Sequence, residues 1–211
     1  MKERPILFSG PMVRAILEGR KTVTRRPVKG SQIPKERHDE PDPAFRWSAV
    51  GQHDPRWGFL VTGATEAECA QELARAGRCP HGRPGDRLWV RETYADIGCR
   101  LTYRTDVDDG AHCQVKKWTP AIHMFRKDSR ILLEITAVRV ERLQDISEEQ
   151  ALAEGVRGEP CDHARRACTD IGCWGDTAKG AFGFLWEHLN GAGSWNANPW
   201  VWVVEFKRVT P

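Results

Sequence analysis

One run of residues, 130 to 143, constrains this chain more than any other. Its apolar members Ile131, Leu133, Ile135, Ala137, Val138 and Val140 nearly alternate with Glu134, Thr136 and Arg139. Period-two alternation puts successive side chains on opposite faces of an extended strand. The phase slips once, near Ala137, as a β-bulge would make it. A strand of this length leaves two rows of backbone donors and acceptors to be paired. Partner strands are readable at residues 5 to 9, at 88 to 93 behind the turn Pro84-Gly85-Asp86, at 100 to 105, and at 199 to 207, where Trp200 and Trp202 alternate with apolar neighbours.

Short helices fall between these strands. Ser9 and Gly10 cap a segment with Pro11 at its start and Met12, Val13, Ile16 and Leu17 on one face, and Gly19 stops it. Thr65 caps a helix to Ala76, with Glu66 and Glu68 at its positive end and Gly77 as terminator. Ser147-Glu148-Glu149-Gln150 is a capping box that opens a helix ending at Gly155. A last helix spans residues 179 to 190, with Phe182, Leu185, Trp186 and Leu189 apolar. Strands with short helices between them indicate an α+β fold built on a small barrel. Two irregular insertions interrupt it, at about 27–82 and 156–178. Pro34, Pro41, Pro43 and Pro55 punctuate the first, which holds a hairpin candidate at 45–50 and 57–62. The whole, 1–211, reads as a single domain.

A net charge of +3, from 32 basic and 29 acidic residues, does not by itself mark a nucleic-acid binder. Local clustering has to carry that case, and it does so around residues 17 to 26, Leu-Glu-Gly-Arg-Lys-Thr-Val-Thr-Arg-Arg. Arg20, Lys21, Arg25 and Arg26 are interleaved with the hydroxyls of Thr22 and Thr24, directly after a glycine that lets backbone approach a ligand. The bland alternative is a solvated basic loop. In an extended chain Lys21, Val23 and Arg25 share one face and Thr22 and Thr24 the other, so a bend is needed to join Lys21 to Thr24.

The string Gly19-Arg20-Lys21-Thr22-Val23-Thr24-Arg25-Arg26 resembles the signature of ASCH domains, PUA-like β-barrels related to RNA-binding modules, and the Gly85-Asp86 turn is a second point of similarity. The resemblance covers about 5–26, 84–155 and 179–208 and leaves both insertions unexplained. It implies a PUA-like β-barrel and a partner that is RNA, a nucleoside or a nucleotide, as in bacterial enzymes that hydrolyse N-acetylated cytidine and in phage and prophage members. In those hydrolases the matching positions are catalytic: Lys21, Thr24 and, on the helix after the long strand, Glu154. A threonine hydroxyl attacks a carbonyl when a base removes its proton. Lys21 would be that base if neighbouring cations lowered its pKa, and Glu154 would orient it. Other members cleave RNA. Binding without chemistry stays open beside both activities, because one fold hosts many functions.

Arg20, Thr22, Arg25 and Arg26 are the substrate-binding candidates beside the trio. Arg91, Glu92, Tyr103, Trp118 and His123, with Arg126, are expected to form a wall at the barrel mouth that stacks on a base and reads its edges. Core packing and surface ion pairs are the plain alternative for each. No cofactor is required by this chemistry. Seven cysteines point to free thiols or a metal site rather than a disulfide framework, and Cys161, His163, Cys168 and Cys173 offer a structural zinc set of no standard spacing. No run reaches membrane-spanning length and the first residues lack an apolar signal core, so a cytoplasmic protein without a membrane partner is expected.

Overall fold

In the computed structural model the described residues are 1–52, 58–108, 110–156 and 177–209, and they form a mixed α+β structure of ten strands and four helices. The strands are β1 (Glu3–Leu7), β2 (Val23–Pro27), β3 (Lys35–Glu36), β4 (Trp47–Val50), β5 (Leu60–Gly63), β6 (Arg87–Arg91), β7 (Tyr94–Asp96), β8 (Leu101–Tyr103), β9 (Leu132–Arg142) and β10 (Trp200–Val209). The helices are α1 (Gly10–Leu17), α2 (Glu66–Ala76), α3 (Glu148–Ala153) and α4 (Ala178–Asn190).

The long alternating run, β9, is the middle strand of a five-stranded sheet in the order β1-β6-β9-β10-β2. All its pairings are antiparallel except β1 with β6. Against β10, Ala137 faces Glu205 while Ile135 faces Phe206, so Thr136 is the extra residue of a bulge. The bulge returns Val138 and Val140 to the face already used by Leu133 and Ile135, which explains the slip in the alternation. That inner face packs on α1 through Ile6, Val13, Ile16, Leu133, Ile135, Val204 and Phe206. Further along, the same face packs through Val140, Trp200 and Trp202 on Val61, Cys69 and Leu73 of the first insertion. The outer face, Val201 and Val203, packs on Phe182 and Trp186 of α4 and Ala151 of α3. Inside the first insertion, β4 and β5 form the hairpin expected there, with β3 paired to β4 and α2 behind.

The expected barrel is not closed among the described residues. β1 and β2 are the two edges of the sheet, and no ladder joins them. Even-numbered residues of β2 and its flanks bond to β10: Thr22 O accepts from Phe206 N and Val28 N donates to Trp200 O. Odd-numbered residues therefore face outward, and there Pro27 has no N–H to offer a further strand. Side chains span the gap instead. Arg26 Nη2 donates to Leu7 O at 2.7 Å, and its guanidinium lies 5.5 Å from the centre of the Phe8 ring.

Candidate functional site

Gly19, with φ of 77°, turns the chain out of α1, and the N–H groups of Arg20 and Lys21 both donate to Ala15 O. Thr22 N then bonds Ala153 O at 2.9 Å, so the basic string is tied to α3 before β2 begins. The bend the sequence called for is here, although it joins Lys21 to Arg25 and Glu154 rather than to the Thr24 hydroxyl. Lys21 has no exposed side-chain surface, and its Nζ donates to Val23 O at 2.8 Å, to Glu154 O at 2.8 Å and to Glu154 Oε2 at 2.6 Å. Burial pulls the lysine below its usual range, and Arg26 and Arg25 add to that, while Glu154 opposes it. Gly155, with φ of 90°, makes the approach of the two segments feasible: a Cβ there would stand 2.8 Å from Ala15 Cβ and 3.0 Å from Lys21 Cβ.

The other carboxylate oxygen of Glu154 accepts from Arg25 Nη1 at 3.3 Å. Arg25 Nη2 reaches Glu141 at 2.6 Å and Gln150 Oε1 at 2.9 Å. Gln150 is also the residue whose side chain closes the capping box on Ser147 N, so the start of α3 and the position of Arg25 are fixed by one amide. Lys21, Glu154, Arg25 and Glu141 thus form one buried chain of alternating charge.

Thr24 sits on the opposite face of β2, paired with Val204 and 3% exposed, and its hydroxyl has no hydrogen-bond partner among the described residues. It lines a cavity of about 160 Å³ together with Arg25, Arg26 and Glu154. Phe182, Leu185, Trp186, Leu189 and Asn190 of α4, Pro27 of β2 and Met12 of α1 complete the wall. Residues from both faces of β2 line it, so it runs along the open edge of that strand. Two donors belonging to its lining residues, Arg25 Nε and Trp186 Nε1, are buried with no acceptor among the described residues. A second hollow of about 550 Å³ shares Met12, Glu154 and Leu185 with the first and adds Arg14 and Arg20. Arg14 is exposed, whereas Arg20 is held by Glu18 and by Gly155 O at 2.8 Å. Thr22 is exposed and lines neither.

The structure places the expected mouth wall elsewhere. None of Arg91, Glu92, Tyr103, Trp118 and His123 lines the cavity at Thr24. Arg91 lies over Trp89 and donates to Ile122 O, and Glu92 is clamped by Arg130 at 2.9 and 3.0 Å. Tyr103 bonds Asp128 O, Trp118 meets His112 edge-on, His123 stands exposed on a short 3-10 turn, and Arg126 pairs with Glu3. The reason is topological. Arg91 ends β6 and the others follow it; β6 lies beside β1, while β2 is the edge at the other end of the sheet. The cavity takes its aromatic wall from α4 instead, and the spacing Phe182, Leu185, Trp186, Leu189 was readable only as a core stripe.

Cys161, His163, Cys168 and Cys173 lie outside the described residues, and among the described ones no group of three potential metal ligands forms. Cys69, Cys79, Cys99 and Cys113 are free thiols. No helix among the described residues is long and apolar enough to cross a membrane. No family model, no curated protein and no solved structure matches the chain.

Proposed function

We propose that the cavity along β2 receives a single base of RNA or of a modified nucleoside, in a protein of the ASCH type with a partly open PUA-like barrel. The carrying observation is the pair of buried donors without an acceptor among the described residues, Arg25 Nε and Trp186 Nε1, on residues lining a cavity that Thr24 also lines. Buried donors without acceptors are rare and costly, and a ligand edge rich in carbonyl and ring-nitrogen acceptors answers them. Unpaired bases are recognised by this combination of polar edge contacts and aromatic surface. At about 160 Å³ the cavity is smaller than the ~300–1,000 Å³ of drug-sized ligand pockets. It suits one planar ring, with the sugar and phosphate in the adjoining hollow near Arg14.

A second reading, hydrolysis of an N-acylated cytidine, is favoured by the Thr24 hydroxyl, which has no hydrogen-bond partner among the described residues. On this reading Thr24 attacks the acyl carbon and gives its proton to the carboxylate of Glu154, which lines the same cavity. The C–N bond breaks, the cytidine amine leaves with that proton, and water then hydrolyses the acyl–Thr24 ester to release the acid. Lys21 lies outside the cavity lining and holds Glu154 in place through their 2.6 Å ion pair.

The test is a panel of acylated and unmodified nucleosides and short single-stranded RNAs, followed by calorimetry for binding and mass spectrometry for products. With the Thr24→Val protein, binding kept and turnover lost identifies the hydrolase. Binding without product in the unaltered protein identifies a reader, and a shortened oligonucleotide a ribonuclease. If nothing in the panel binds, the reading fails.

A further inference from the structure

A third cavity, of about 790 Å³, opens between the first insertion and the five-stranded sheet. Its lining contains Lys2, Arg4, Arg75, Arg78 and Arg83, and Asp86 is its sole carboxylate. That carboxylate is already spent inside the protein, accepting from Lys2 N at 2.8 Å, Arg4 Nη1 at 2.9 Å and Arg83 N at 3.4 Å. Arg75 is paired with Glu72. Lys2, Arg78 and Arg83 have no carboxylate partner for their side chains among the described residues, and all three are exposed at the rim.

The backbone that carries these cations is held in place. Arg78 N donates to Gly51 O at 2.6 Å, and the buried Gln32 donates from Nε2 to Arg78 O at 3.1 Å. Gly82, with φ of 127°, brings the turn against the sheet, where a Cβ would stand 2.9 Å from Ile135 Cδ1 and 3.0 Å from Arg4 Nη1. The floor is apolar: Val138, Cys79 and Trp202, the last with its indole Nε1 buried and without an acceptor among the described residues. Burial pushes the Cys79 thiol up to about 11, so it stays protonated at neutral pH, which favours binding here over thiolate chemistry.

We infer that this cleft binds a phosphate-bearing ligand, a nucleotide or the backbone of a nucleic acid. Guanidinium groups on a fixed frame match phosphate oxygens in paired, charge-assisted hydrogen bonds. The volume falls within the range of about 300–1,000 Å³ typical of whole-ligand pockets. The site is separate from the one along β2 and stands without it.

The test titrates the full chain with inorganic phosphate, adenosine monophosphate and a short fluorescein-labelled single-stranded RNA over a range of salt. The comparison is with an Arg78→Ala/Arg83→Ala protein, a Lys2→Ala protein and, as the control, Arg208→Ala, an exposed cation that lines none of the cavities described. Because the altered side chains are exposed, each protein should melt as the parent does. The expected result is about a tenfold or greater loss of affinity in the double variant, about 1.4 kcal/mol by the usual conversion. For RNA, the logarithmic salt slope should also become shallower by roughly 1.4, as two phosphate contacts are lost. Arg208→Ala should leave both unchanged. Binding of the mononucleotide alone names a free nucleotide as the ligand, and binding of RNA without it names the backbone. Unchanged affinity and slope in the double variant, or no binding of any probe by the parent, overturns the inference.

Discussion

Glu154 decides how the rest of the basic string is used. Lys21 and Arg25 have no exposed side-chain surface, and Glu154 is the carboxylate they share. Removing one partner of such a group strands the others in a low-dielectric interior, and breaking a buried pair costs about 3–5 kcal/mol. The Glu154→Ala protein should lose stability in that range by urea denaturation. Glu154→Gln, which keeps an acceptor for Lys21, should lose clearly less. Equal losses for the two would show that the charge arrangement matters little and that only volume is at stake. The string was legible as a cluster of cations and hydroxyls meant for anionic oxygens. What local pattern could not show is that two of its four cations serve internal carboxylates. Glu141 and Glu154 lie more than a hundred residues further along the chain, and only the resemblance to ASCH proteins linked Glu154 to Lys21.

At the scale of elements, the cavity exists because α4 is fixed beside β2. Its start is held twice: Thr177 Oγ1 accepts from Gly180 N at 3.0 Å, and the Glu148 carboxylate accepts from Ala178 N at 2.7 Å and from Lys179 N at 3.3 Å. Glu148 lies in the first turn of α3, so one carboxylate clamps the beginnings of two helices. Replacing Glu148 with Ala should cost about 1 kcal/mol, as loss of a cap does. Amide exchange at residues 178 to 180 should quicken about fivefold to tenfold, with the centre of β9 unchanged. Exchange that stays as slow as in the parent would mean Thr177 alone holds the helix. Elements were the most legible level of this chain. The bulge in β9, the capping box at Ser147 and the hairpin in the first insertion all carry local signatures, a phase slip, a residue pattern and a turn between apolar runs. The order of strands carries none, since β1 beside β6 and β2 beside β10 depend on contacts between distant segments. For that reason no local pattern shows that Arg91 and the wall residues after β6 lie away from the cavity at Thr24.

The molecule as a whole joins a five-stranded sheet to an insertion that returns to it at residues 79 to 86, and two ionisable groups in that return make the union sensitive to acid. His81 is held neutral by burial first and then by Arg26, Arg4 and Lys29, which together push it down to about 4. In the unfolded chain it would titrate near the usual value of about 6.5. Between those values the unfolded chain binds the proton and the folded one does not, so stability is complete above about 6.5 and drains away as the pH falls toward 4. The loss is roughly 3 kcal/mol at most, at about 1.4 kcal/mol for each pH unit. Asp86 follows at lower pH. Burial tends to raise it, but the hydrogen bonds from Arg4 and from the backbone of Lys2 and Arg83 prevail and hold it at about 2. Its contribution is present above the ordinary carboxylate range and is lost as the pH falls through about 2. The unfolding free energy should therefore decline in two stages on acidification, and His81→Phe should flatten the first while leaving the second. An unaltered slope between pH 6.5 and 4 in that variant would show that His81 is not held neutral at the seam and that the insertion docks on the sheet by apolar packing alone.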